Sequence, residues 1–347
     1  MLLPQTAIAK PIPDWARAHG EVLIVARIRT EPADFIVTES MDFELSGDGE
    51  HDFLWIEKTG ANTAWVARQL AAHAGVAAVD VGYAGLKDRH AISSQWFSVR
   101  RPSGEGTDWA TFAAEGVRIV EIARHHKKLR RGAHRSNSFR IALRSPDIEA
   151  CRDQIRSRLE LIEKQGVPNY FGEQRFGRDG GNIELAEAVF AGRRVKRDKR
   201  SIAISSARSL LFNHILEARV RDGTWNQLRV GDLANLDGSG SVFAVDELTA
   251  DLMERCDTDD VHPTGTLWGD GAPLTSDNVA SGECVAVADY KSMTEGLQKA
   301  RVDASSRALR LPVRDLSVEF GDGALWLEFS LTKGGFATVV LRELATT

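Results

Sequence analysis

Strand-like sequence fills both ends of this chain and is sparse in its middle, and that asymmetry restricts the fold more than any single motif. Runs rich in β-branched and aromatic residues crowd the first third: "EVLIVARI" (21–28), "DFIVTE" (34–39), "HDFLWIEKT" (51–59), "ISSQWFSV" (92–99), "VRIVEIA" (117–123) and "SFRIALR" (138–144). They return at the end as "DLSVEF", "ALWLEFSL" and "FATVVLREL" (336–344). A chain that leaves a strand series and later re-enters it builds one sheet from both ends and loops the middle out. The reading is therefore α+β, because strands do not alternate regularly with helices. Residues 1–165 and 311–347 form a discontinuous domain with a mainly antiparallel sheet, and residues 166–310 form an inserted domain.

Two helices punctuate the first part. "NTAWVARQLAAHAG" (62–75) has Asn62 to cap it, Val66 and Leu70 one turn apart, and Gly75 to end it. The second starts at Ser145 and Pro146 and runs to Gly166, with Ile148, Cys151, Ile155, Leu159 and Ile162 at helical spacing. Texture changes there. "GVPNYFGEQRFGRDGGN" (166–182) is Gly-rich and aromatic, and helical patterns follow at 183–190 and 205–220. From there to about residue 300 the chain reads as irregular with short strand-like runs such as "ECVAVAD" (283–289), and a helical pattern covers 290–309.

Composition excludes several classes. No apolar run approaches the roughly 20 residues that cross a bilayer. "MLLPQTAIAKPIPDW", with prolines on either side of Ile12, does not read as a secretory signal. Cys151, Cys256 and Cys284 are too far apart for a metal-ligand spacing or a disulfide framework, and they read as free thiols in a reducing cytoplasm. "GRDGG" lacks the Lys-Ser/Thr of a phosphate loop, so no nucleotide cofactor is expected, and no motif calls for a metal or any other cofactor. The net charge of -5 disfavours a nucleic-acid partner, but its distribution favours one. Residues 124–144 carry eight Lys or Arg, three His and no acid, and residues 193–200 carry six basic residues against one acid. Segregated positive runs attract a polyanion whatever the total.

Within that setting "YAGLKDRHAISSQWFSV" (83–99) places one acid, Asp88, between Lys87 and Arg89 in a loop that feeds a strand. A turn residue or a surface ion pair accounts for Asp88 cheaply. If residues 87–89 are extended, however, Lys87 and Arg89 share one face and Asp88 is presented alone on the other, as a base or nucleophile would be. Gly85 would lend the loop unusual backbone geometry. Other segments are similarly open. "PNYFGEQRFG" (168–177) is either a tight turn with an internal Glu173–Arg175 pair or an RNA-facing elbow with Arg175 near phosphates. Asn137 is a turn residue or a reader of a base edge. Phe35 and Phe336 are core residues or stacking surfaces for an exposed base.

Five motifs in order, "AGLKDRHA" with "QWFSV", "HKKLRRGAHRSNSF", "GVPNYFGEQRFG", "SARSLLFN" and "GGFATVVLREL", resemble the tRNA pseudouridine synthase D family across about residues 35–344. The resemblance implies a pseudouridine synthase catalytic domain carrying an inserted domain that begins near "GVPNYF", with an RNA-binding cleft between them. It implies Asp88 as the catalytic residue and Phe35, Asn137 and Phe336 as substrate contacts. Lys87, Arg89, Arg130, Arg131 and Arg175 are candidates for the RNA backbone. The implied reaction turns a uridine of tRNA, at position 13, into pseudouridine after the base leaves its stack. The protein is then a cytoplasmic monomer with tRNA as its partner. The rival is a non-catalytic tRNA-binding or RNA-chaperone protein of the same fold, which needs the basic runs but not Asp88. A glycoside-type hydrolase would need a second acid near Asp88, and the nearby sequence offers none.

Overall fold

A computed structural model describes residues 12–101, 106–321 and 323–347. The chain divides into two compact units. One comprises Val22–Glu163, Val313–Ala337 and Leu344–Thr347, and the other comprises the N-terminal segment up to Glu21, Lys164–Pro312 and Thr338–Glu343. The sequence reading groups residues 1–21 and 338–343 with the sheet. In the structure the described part of the first and all of the second belong to the other unit. There the buried Glu343 side chain accepts the backbone N–H groups of Ala18 and His19, each at 3.1 Å. Most of the N-terminal stretch weighed as a signal, residues 1–11, lies outside the described residues.

In the sheet unit seven strands come from the first third of the chain: β1 (Ile24–Val25), β2 (Phe35–Met41), β3 (His51–Thr59), β4 (Val81–Tyr83), β5 (Ile92–Arg100), β6 (Val117–His125) and β7 (His134–Arg144). A late hairpin, Arg314–Gly321 and Ala324–Thr332, joins them. The main sheet runs from the hairpin's outer strand through its inner strand, β7, β2, β5 and β3 to β6, with β4 also paired to β5. Every pairing is antiparallel except β2 with β5. One edge of β5 is shared. Its first residues pair with β2 (Ile36 opposite Ile92), and its later ones pair with β4 (Tyr83 opposite Phe97). The β4–β5 connection, which contains Asp88, therefore turns at the boundary between two pairings.

Helix α1 (Thr63–Ala74) lays Val66 and Leu70 on Leu54, Ile56, Val81, Phe97 and Val99. The stripe of apolar residues one turn apart makes this face. Gly75 ends the helix in the left-handed region (φ 65), although Asn62 makes no side-chain cap bond. Helix α2 (Arg152–Gln165) starts later than its sequence pattern, after a turn in which Ser145 Oγ accepts the Asp147 N–H at 3.3 Å.

The second unit holds α3 (Gly181–Phe190) and the 25-residue α4 (Arg197–Arg221), packed beside a four-stranded antiparallel sheet. Gly265 shows why a glycine is needed in that sheet. A Cβ there would lie 2.9 Å from Leu309 Cδ2 and 3.2 Å from Phe212 and Ile215 on α4.

Four local expectations fail. "ECVAVAD" lies largely in a helix, Asp277–Ala286, rather than a strand. The pattern over 290–309 yields a helix only at Lys291–Lys299 and then a strand, Ser305–Ala308. "FATVVLREL" contains a short helix, Ala337–Leu341. "EVLIVARI" contributes only β1, which pairs in parallel with Ala345–Thr346. Three are short apolar runs and the fourth is a longer mixed one; in all of them propensity is a weak prior and tertiary packing decides.

Candidate active site

The loop from Ala84 to Ala91 has no regular secondary structure, yet it is tied down along most of its length. Gly85 O accepts the Gln95 amide at 3.1 Å. The Lys87 N–H donates to Thr63 Oγ1 at 3.0 Å, and that hydroxyl donates to Gln95 Oε1 at 3.0 Å. Lys58 Nζ donates to the Asp88 carbonyl at 3.1 Å and to the Ala61 carbonyl at 2.8 Å. Arg89 Nε donates to Gly60 O at 3.0 Å. The partners come from β3, the β3–α1 turn, the start of α1 and β5. Elements that pack for apolar reasons thus hold a polar loop in one shape, which is how a rigid scaffold presents a working side chain.

What the loop presents is Asp88. Its side chain is 43% exposed, and its Oδ2 accepts Arg29 Nη2 at 2.8 Å. Arg29 sits at φ 57, an uncommon position for a residue other than glycine. Its guanidinium lies 4.2 Å from the centre of the Phe35 ring. Phe35 is buried and meets Phe139 edge to face at 6.3 Å. The exposed carboxylate, the arginine and the buried ring thus form one stack. The arginine keeps a counter-charge on Asp88 without covering it.

Lys87 turns the other way. Its side chain is only 5% exposed, and its Nζ lies 3.0 Å from Glu39 Oε2 and 2.5 Å from Asn137 Oδ1. Adjacent residues do alternate between inside and outside here, but Arg89 is exposed and does not share the inward face of Lys87. Lys87 is thereby removed from the candidates that could meet an RNA backbone, because a buried ammonium paired to a buried carboxylate has no free approach. Nor is Gly85 in the left-handed region. A Cβ there would lie 3.5 Å from His134 Cε1, an ordinary contact.

Burial shapes the titration of this cluster. The Lys58 side chain is fully buried, and burial pushes its ammonium down to about 8 although the Asp88 charge opposes the shift. Glu39 is pushed up by burial, against the pull of Lys87. His134 is pushed down to about 4, by burial first and then by Lys87 and Lys333.

The remaining candidates fall in separate places. Asn137 is buried on β7, opposite Glu39 of β2 and Leu331 of the hairpin. Phe336 is half-buried in the turn after the hairpin, shortly beyond that rung. Arg130 and Arg131 are exposed on the β6–β7 connection, and Arg131 stacks on Tyr83 with its Cζ 3.7 Å from the ring centre. This basic loop is strapped beside the Asp88 loop. The Gly132 N–H donates to Ala84 O at 2.8 Å, and Leu129 N–H donates to Ser98 Oγ at 2.9 Å. Gly82 allows the approach, since a Cβ there would lie 2.3 Å from Leu129 O.

Arg175 belongs to the other unit. Its Nη1 donates to Ser205 Oγ at 3.1 Å, and the Glu173 pair expected of it does not form among the described residues. The aromatic residues around it are core: Tyr170 is 1% exposed, Phe171 7% and Phe176 0%.

Arg29, Lys58 and Glu39 escape the motif reading. Two had a signal. Positions 54, 56 and 58 of β3 share one face, as do 35, 37 and 39 of β2, so the strand alternation turns Lys58 and Glu39 inward with apolar neighbours. Arg29 had none.

A sequence model of the family described as tRNA pseudouridine synthase D matches residues 20–192 and 183–344. A tRNA pseudouridine synthase D of Methylococcus capsulatus is 47% identical over 336 residues, covering 95% of this chain and 94% of the relative. One from Aeromonas hydrophila is 43% identical over 330 residues, covering 95% and 93%. The crystal structure of a Methanosarcina mazei protein described as a putative enzyme of this kind superposes with a TM-score of 0.71 at 18% identity, over 99% of this chain and 97% of that one.

Proposed function

The chain belongs to the tRNA pseudouridine synthase D family, and on that premise we propose that Asp88 is the carboxylate through which it isomerises the uridine at position 13 of tRNA. It is a tRNA pseudouridine synthase, an isomerase whose substrate is tRNA. The sheet unit is read as the catalytic domain and the middle unit as an insertion. The protein is read as a cytoplasmic monomer.

The observation that carries the assignment is the combination of a pinned backbone and an open carboxylate at Asp88. The reaction moves no electrons between molecules. The N1–C1′ bond breaks, the uracil turns, C5 bonds to C1′, and the proton on C5 is exchanged for one on N1. A group that acts at this centre must be ionised, reachable and held still while the base moves. Asp88 meets these needs, with Arg29 as its counter-charge. Phe35 is too buried to stack on a base, so its part is to back Arg29. Asn137 and Phe336 are left as the residues that meet the uracil, and Arg130, Arg131 and Arg89 as those that meet phosphates.

The test is mass-based mapping of pseudouridine in tRNA treated with wild type and with Asp88→Asn. The variant should leave uridine unmodified while still binding tRNA. Full activity of Asp88→Asn would remove the assignment.

A further inference from the structure

We propose that Lys87, held by Glu39, fixes the amide of Asn137 as a pure hydrogen-bond donor and so makes the site read uracil against cytosine. This rests on the reading of Asn137 as a residue that meets the base.

The argument starts from what an ammonium can do. Lysine donates and never accepts, so the Asn137 atom 2.5 Å from Lys87 Nζ must be the oxygen, whichever way the amide is drawn. Lys87 is not free to leave. Its side chain is 5% exposed, and its partner Glu39, 3.0 Å away, is 0% exposed. Strand register sets Glu39 directly opposite Asn137, so acid and amide share one rung and the lysine spans both from the loop. Asn137 Nδ2 makes no hydrogen bond to a described residue. The amide therefore offers a ligand only N–H.

The reaction rewards that polarity. The uracil edge reads O4, N3–H, O2: acceptor, donor, acceptor. To exchange N1 for C5 at the sugar the base turns about the line through N3 and C6. That turn also exchanges O2 with O4. A donor placed at one carbonyl therefore faces an acceptor before the turn and after it. Cytosine carries an amino group in place of O4, so one of its two orientations sets donor against donor. An amide free to flip would offer its oxygen to that amino group, and the discrimination would vanish. Set against the C4 substituent of the base as it binds, this donor follows uracil through the turn and rejects cytosine at the binding step.

The experiment uses the full-length enzyme and two tRNA transcripts, with uridine or cytidine at the modified position. Dissociation constants are measured for both, and single-turnover rates for the first. Wild type should prefer uridine by about tenfold, the scale of one satisfied against one unpaired hydrogen bond. The double variant Glu39→Gln/Lys87→Met removes both buried charges together, and its preference should fall to within about threefold of unity. Asn137→Asp still satisfies Lys87 but has no N–H to donate, and it should lose single-turnover rate to the same degree as Asn137→Ala. If the double variant keeps the wild-type preference while Asn137→Ala loses it, Lys87 does not set the amide and the inference is wrong. Wild-type turnover by Asn137→Asp would also overturn it. If Asn137→Ala keeps both rate and preference, Asn137 does not meet the base, and the underlying reading fails instead.

Discussion

Two loops of this chain look alike on paper and fold into opposite things. Gly85–Arg89 and Gly172–Arg175 each set a lone acid near basic residues beside glycine, with aromatic residues close by. The first is held by polar bonds from β3, α1 and β5 and turns Asp88 and Leu86 to solvent, Leu86 at 69% exposure. The second lies between two core rings: Glu173 and Gln174 are exposed, but Phe171 and Phe176 on either side are buried. Asn213 brackets Phe171, accepting its N–H at 2.9 Å and donating to its C=O at 2.9 Å, and Arg307 lies over the same ring at 4.3 Å. Composition does not separate a presenting loop from a packed one. What separates them is what flanks the exposed acid: backbone held by polar bonds from neighbouring elements in the first, and buried rings on both sides in the second.

Mutation should split the two by kind of loss. Asp88→Asn is expected to lower pseudouridine formation by at least about 10³-fold, the scale of losing a catalytic group, while the melting temperature stays within a degree or two because the site is exposed. Phe176→Ala should do the reverse, costing about 3–5 kcal/mol of stability through the cavity it leaves. Denaturant unfolding together with turnover at a temperature where both variants are folded measures the split. A Phe176→Ala protein of wild-type stability would mean that a core ring does not anchor the second loop.

Lys58 sharpens the comparison from within the first loop. It touches the backbone of Asp88 and not the reacting atoms, so it is a positioning residue. Lys58→Met should lower kcat by about 10–100-fold with KM for tRNA nearly unchanged, because only the aim of the carboxylate is lost. It also carries a pH signature. The folded protein binds this proton less tightly than the unfolded chain does, at about 8 against about 10.5. Stability should therefore rise as pH climbs through that window, and in Lys58→Met the rise should be missing. A wild-type kcat in Lys58→Met would show that the carbonyl needs no holding.

How much of this was legible depends on whether a residue's partners are local. Asp88 could be singled out because its loop is one of several family motifs in order; the loop alone is equally well explained by an ion pair. Lys58 and Glu39 could be found by strand phase alone. Arg29 could not, because its left-handed backbone and its bond to a residue 59 positions away are tertiary facts. Phe35 and the aromatic residues of the second loop share a different problem. A ring that stacks on a base and a ring that fills a core have the same sequence pattern, and only the covering elements distinguish them. Residues 338–343 were read as strand because Val339 and Val340 are β-branched. They leave the sheet because the chain turns at Gly334 (φ 83) into a short helix whose residues from Thr338 onward belong to the other unit.

The smallest expected effect separates two neighbours on the basic loop. Arg130 and Arg131 are both exposed, but Arg131 is already stacked on Tyr83, and Arg130 has no such ring among the described residues. A cation that meets a phosphate releases a counterion, so its loss lowers the slope of log affinity against log salt by about 1. Arg130→Ala should show that change with kcat untouched at saturating tRNA. Arg131→Ala should change the slope less, because part of its side chain serves the Tyr83 ring and through it the wall of β4, whose far end opens into the Asp88 loop. Its loss should appear in stability and turnover as well. Equal slopes with equal turnover in the two variants would show that stacking does not divide their work. An unchanged slope in both would move the phosphate contacts elsewhere, to Arg89 or to the exposed run at 193–200.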